Sequence, residues 1–71
     1  MNKKILEELR IIKEKIENYS EKREDIFLSR SYEWQESEKG EDYQDKTFTL
    51  GAVFISLDEA IEDLEIYLNK N

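Results

Sequence analysis

Residues 43–68 read YQDKTFTLGAVFISLDEAIEDLEIYL. Within this stretch Tyr43, Thr47, Leu50, Phe54, Leu57, Ile61, Leu64 and Leu68 recur at alternating steps of four and three. The mean step is about 3.5 residues, the period at which one side of a helix stays in register with a partner helix. A half-buried strand would alternate at every second residue instead. The first half of the chain repeats the device with Ile5, Leu9, Ile12, Ile16, Tyr19, Arg23, Ile26 and Arg30. The expected fold is therefore all-α, an antiparallel helical hairpin. Helix 1 covers about residues 3–28, the reversal 29–41 and helix 2 about 42–68, in a single domain from 1 to 71.

One segment contests this reading. Residues 47–56, TFTLGAVFIS, are rich in β-branched and aromatic types and contain Gly51, and the following Ser56, Leu57, Asp58 and Glu59 form a capping-box pattern. A strand before a shorter helix would satisfy those local preferences, and Gly51 inside a helix costs roughly 1 kcal/mol relative to alanine. The four–three spacing nevertheless crosses the segment without a phase shift, and a lone strand has no partner for its backbone groups. Helix is the expectation.

The reversal, residues 29–41, reads SRSYEWQESEKGE. Its three serines suit helix caps, and Gly40 is free to take positive φ. Ser31 is expected to cap a short helical turn through Trp34, and Ser37 to cap the start of helix 2. On the outer face of helix 1, Arg10–Glu14 and Lys13–Glu17 are expected as i,i+4 ion pairs.

Ser31, Trp34, Gln35, Ser37, Glu38 and Gly40, with the acidic–aliphatic stretch 56–65 behind them, carry a resemblance. The segment resembles a loose group of small two-helix proteins of phages and Gram-positive mobile elements, whose pattern is S-x-x-[W/L]-Q-x-S-E-x-G before an LEEAI-type helix. The likeness extends over roughly half the chain and departs at residues 51–54, GAVF, where the group carries more acidic helix. It implies the hairpin and a mobile-element origin, and brings no activity with it.

Composition narrows the function classes. A chain of 71 residues buries only about 60% of its unfolded surface, so its own core is marginal. Charged residues make up 41% and hydrophobic ones 38%, and because the apolar ones sit on stripes the mixture indicates long solvated helices rather than disorder. Without cysteine neither a disulfide nor a zinc–thiolate site is available, which fits a reducing cytoplasm. Glu7 and Glu8 arrive before any apolar run, unlike a signal peptide. No stretch approaches the ~20 apolar residues of a membrane span.

Residues 1–35 carry eight Lys/Arg against eight Asp/Glu, whereas 36–71 carry three against ten, so the second half supplies the whole net charge of −7. That acidic half repels duplex phosphate, which argues against direct nucleic-acid binding. It either keeps the protein soluble or docks on a basic partner. Histidine is absent as well, no glycine-rich loop is present, and the ExxH signature of bundle metal sites is missing. An enzyme is not expected, nor a cofactor or metal.

More apolar residues are present than one seam can cover. Lys46, Val53, Ala60 and Tyr67 flank the helix 2 stripe, Phe48, Ala52 and Ile55 lie off it, and Leu6, Ile11, Phe27 and Leu28 fall outside the helix 1 set. A homo-oligomer, a four-helix bundle or larger, is expected to cover them, with Val53, Ile55 or Phe48 at a subunit contact.

The seam is aliphatic near the termini but takes on Arg23, Arg30, Tyr43 and Thr47 toward the reversal. A buried arginine costs several kcal/mol unless its donors are satisfied. Two arrangements follow. In one, Glu33, Glu36, Asp42 and Asp45 form an internal salt-bridge network. In the other, Trp34 or Tyr43 stacks on a ligand ring while Arg23, Arg30 and Lys39 hold an anionic group. Arg23, Arg30, Trp34, Gln35, Lys39 and Tyr43 are therefore the candidate binding residues. The expected function is that of a small acidic, non-enzymatic binding protein, encoded by a phage or mobile element, which docks on a protein partner and inhibits or adapts it. The alternatives are a sponge for an anionic, nucleotide-like small molecule and a purely structural assembly unit.

Overall fold

The computed structural model describes residues 3–70, which form helices α1 (Lys3–Ser29), α2 (Tyr32–Gln35) and α3 (Glu38–Asn69). The long helices α1 and α3 pack along each other, and no strand occurs among the described residues. Residues 47–56 are helical throughout. The four–three period prevails there because every member of the set faces α1: Thr47 and Ile61 are buried, and Tyr43, Leu50, Phe54, Leu57, Leu64 and Leu68 are half-buried. Tertiary packing of a continuous stripe outweighs local β preference. Ser56 consequently lies inside α3 rather than capping a new helix.

α1 is turned from its expected register. Leu6, Leu9, Lys13, Ile16, Ser20, Arg23 and Phe27 form its buried and half-buried side, while Ile5, Ile12, Tyr19 and Ile26 remain exposed and Arg30 lies beyond the helix end. The two possible stripes share Leu9, Ile16 and Arg23, so periodicity does not separate them. Interhelical chemistry does. Lys13 pairs with Asp58 and lies 4.9 Å from the centroid of the Phe54 ring, Arg23 bonds to α3, and Phe27 packs on Trp34. The i,i+4 pairs expected on α1 give way to pairs across the seam, Arg10 with Glu65 and Lys13 with Asp58.

These cross-pairs give the hairpin two unlike sides. Arg10–Glu65, Lys13–Asp58 and Glu24–Gln44 bridge the helices on one side. Ile5, Ile12, Tyr19 and Ile26 recur every seven residues about 80° round α1 from the seam, as Val53, Ala60 and Tyr67 do round α3, at about 100° per residue. Because the helices are antiparallel, both rows fall on the side away from the ion pairs. Phe48 and Ile55 occupy the outer flank of α3 nearer the ion-paired side.

The core is thin. Leu6 and Ile61 are the buried hydrophobic residues, and none of the described side chains is fully buried. No helix of the described residues is long and apolar enough to cross a membrane.

Candidate functional site: the reversal corner

The corner is built from side chains that close backbone groups. α1 ends without a left-handed residue; no described residue has positive φ. Carbonyls of its last turn are met instead by the Ser29 hydroxyl donating to Ile26 O (2.7 Å) and Arg30 N–H to Phe27 O (3.2 Å), and Gln35 Nε2 donates to the carbonyl of Arg30 just past the end (2.9 Å). Ser31 caps α2 by accepting from Trp34 N–H at 3.2 Å, and Ser37 caps α3 by accepting from Gly40 N–H at 3.2 Å. The Ser37 hydroxyl also donates to Trp34 O at 2.5 Å. Glu38 and Glu41 stand in the first turn of α3, where the helix dipole favours negative charge.

Gly40 serves a purpose other than the one expected. It is helical and buried, inside α3 and ahead of the expected start of helix 2, and a Cβ there would sit 2.2 Å from Trp34 O and 2.6 Å from Gln35 O. Glycine is required because α2 crosses against the start of α3, not because the chain turns there with positive φ.

Arg23 is an internal tie. Its Nε donates to Thr47 Oγ1 at 3.1 Å and its Nη2 to Tyr43 O at 3.0 Å, while the guanidinium stacks 3.9 Å from the Tyr43 ring centroid. Thr47 Oγ1 in turn donates to Tyr43 O at 3.1 Å. The donors expected to meet Glu33, Glu36, Asp42 or Asp45 are met by a hydroxyl and a carbonyl, which satisfy the charge without burying a second one. Trp34 is half-buried, with Phe27 tilted against it at 6.0 Å and Tyr43 edge-on at 5.7 Å between ring centroids.

Arg30 differs from Arg23. It is exposed and spreads over Trp34 at 4.5 Å, with no hydrogen bond or ion pair from its guanidinium among the described residues. Tyr32 beside it is 72% exposed and Leu28 62%. A hydrogen bond to the Glu36 carboxylate raises the Tyr32 phenol pKa above its ordinary value. Lys39 is exposed in the first turn of α3.

Of the six candidate residues, then, Arg23, Trp34, Gln35 and Tyr43 are brought together in one packed corner. Arg30 covers its outer surface, and Lys39 stands apart from these contacts. Phe27 and Thr47 complete the corner. Phe27 lies outside the expected seam because α1 turns a neighbouring stripe inward. The six positions of the S-x-x-W-Q-x-S-E-x-G pattern each have a local job here, as cap, ring contact, carbonyl closure, dipole partner or close approach. No family model matches the chain, and no curated protein or solved structure does.

Proposed function

We propose that this chain is a non-enzymatic protein-binding module of phage or mobile-element origin. It works as a homo-oligomer and docks on a protein partner to inhibit or adapt it. The observation that carries the docking surface is the outer surface of the corner: Arg30 lies over Trp34 with no ion pair among the described residues, and Leu28 and Tyr32, two residues to either side in the chain, are exposed. Arginine and tyrosine are among the residue types that dominate protein interfaces, and a guanidinium supported on an aromatic ring keeps its donors free for a partner carboxylate or carbonyl. The −7 net charge steers toward a partner that is basic overall.

A nucleotide sponge is less well supported. Arg30 already covers one face of Trp34, and Phe27 and Tyr43 pack against the same ring. A base would have to displace the guanidinium meant to hold its phosphate.

The test is affinity capture from the native host by the wild-type chain and by Arg30→Leu/Tyr32→Ala, after both are shown to melt alike. A protein retained by the first, lost by the second and released by salt is the expected result. Nucleotides that quench Trp34 and raise the melting temperature, with no protein retained, would overturn the reading in favour of the sponge.

A further inference from the structure

The apolar side of the hairpin has an owner that the sequence and geometry identify. We infer that it is the contact between two copies of this chain, related by a two-fold axis parallel to the hairpin, so that α1 of each copy lies on α3 of the other and both corners come to the same end. The inference rests on the homo-oligomer reading above and specifies its surface and symmetry.

Four observations converge. First, the row Ile5, Ile12, Tyr19 and Ile26 keeps a strict seven-residue repeat while remaining 45–57% exposed. A seven-residue repeat drifts only about 20° per heptad on a helix, so the row forms one continuous apolar strip beside the seam. Together with the half-buried seam residues beneath it, the row widens the apolar face to the three-in-seven pattern of helices that pack against two neighbours. Second, the groove between the helices on the opposite side is bridged by two ion pairs and lined by Arg10, Glu14, Glu17, Asp58, Glu62 and Glu65, so it is suited to water, and the exposed Phe48 and Ile55 stand beyond it on the outer flank of α3. Third, the hairpin by itself buries only two hydrophobic side chains among the described residues, less than a two-helix chain needs to hold a unique packing. Fourth, the Cα envelope measures 56 by 14 Å on its broad side, a projected outline of the size needed to hold the ~800 Å² that each partner of a standard stable interface buries.

Charge selects the symmetry. α3 carries nine carboxylates against two lysines, whereas α1 carries seven acidic and seven basic residues. A two-fold axis across the hairpins would lay α3 on α3, a helix of net −7 on another of −7, with the acidic cluster at 38–45 of one copy against that at 58–65 of the other. An axis along the hairpins lays each acidic helix on a neutral one and keeps neighbouring helices antiparallel. Two Arg30–Tyr32 surfaces then stand side by side, giving a partner with two matching epitopes a bivalent contact.

The chain has no cysteine, so a single spin label on Glu33→Cys is unambiguous. Light scattering of the labelled and unlabelled protein should give twice the chain mass. The inter-label distance should fall below roughly 30 Å, since neighbouring helices in a bundle lie about 8–10 Å apart. A distance near or beyond the 56 Å length of the hairpin would overturn the symmetry while leaving the oligomer intact. A monomer would overturn both. Ile12→Glu should lose the dimer whereas Ile55→Glu, on the other flank of α3, should keep it; the reverse result assigns the contact to the wrong side. Should Ile12→Glu fail to fold, the wild type supplies the check, because its melting temperature must rise with protein concentration. A concentration-independent melt refutes the inference.

Discussion

The two glycines show how differently one residue type acts at two places in the same helix. A methyl group added at Gly40 would meet backbone oxygens within 2.6 Å, whereas one added at Gly51 would find nothing within 4 Å. Gly40→Ala should therefore destabilise by about 2–3 kcal/mol through overpacking. Gly51→Ala should stabilise by about 1 kcal/mol, the helix-propensity difference. Urea denaturation of both variants checks the pair, and equal effects would show that helix propensity alone operates. The arginines make a similar contrast. Thr47→Val removes the acceptor for Arg23 Nε in a buried setting and should cost about 1–3 kcal/mol. Arg30→Leu should leave the urea midpoint nearly unchanged, because its guanidinium is exposed and makes no hydrogen bond among the described residues.

At the scale of the element, the seam between α1 and α3 sacrifices aliphatic packing at Lys13. Its ammonium reaches Asp58, which stays 47% exposed, and lies over the Phe54 ring. A half-exposed ion pair contributes at most about 1 kcal/mol, and Asp58 remains hydrated when its partner is removed. Lys13→Leu should therefore raise stability by about 1 kcal/mol, measured by thermal or urea melting in low and moderate salt, because it trades that weak pair for apolar burial. A loss of stability would show that Lys13 sets the register of α1 against the alternative stripe. Trp34→Ala belongs to this scale as well. The ring joins α2 to both long helices through Phe27 and Tyr43, so truncation should cost about 2–3 kcal/mol, somewhat less than a fully buried aromatic. Trp34 is a packing residue first.

For the whole molecule, the dominant quantity is the mismatch between a thin internal core and a long apolar side. Each chain also carries −7, so in the proposed dimer long-range repulsion between copies opposes the contact of their apolar sides. Raising ionic strength from about 0.01 to 0.15 M shortens the Debye length from about 30 to 8 Å, and the proposed dimer should tighten accordingly. Sedimentation across that salt range measures it. Weakening of the dimer by salt would mean that ion pairs, not apolar rows, hold the copies together.

The sequence by itself determined the two long helices, the side of α3 that faces inward, and the serine caps at Ser31 and Ser37. Each depends on spacing or on local hydrogen bonding, which a single chain displays directly. Only the tertiary structure decided which of two overlapping stripes α1 turns inward, since Leu9, Ile16 and Arg23 belong to both and an apolar arc wider than one seam leaves the rotation free. The choice came from side chains far along the chain: Asp58 and Phe54 for Lys13, Thr47 and Tyr43 for Arg23. The same separation hid the roles of the corner. Arg23 and Arg30 look alike in sequence, yet one lies against a carbonyl and a hydroxyl of α3 and the other faces solvent, because α1 ends between them.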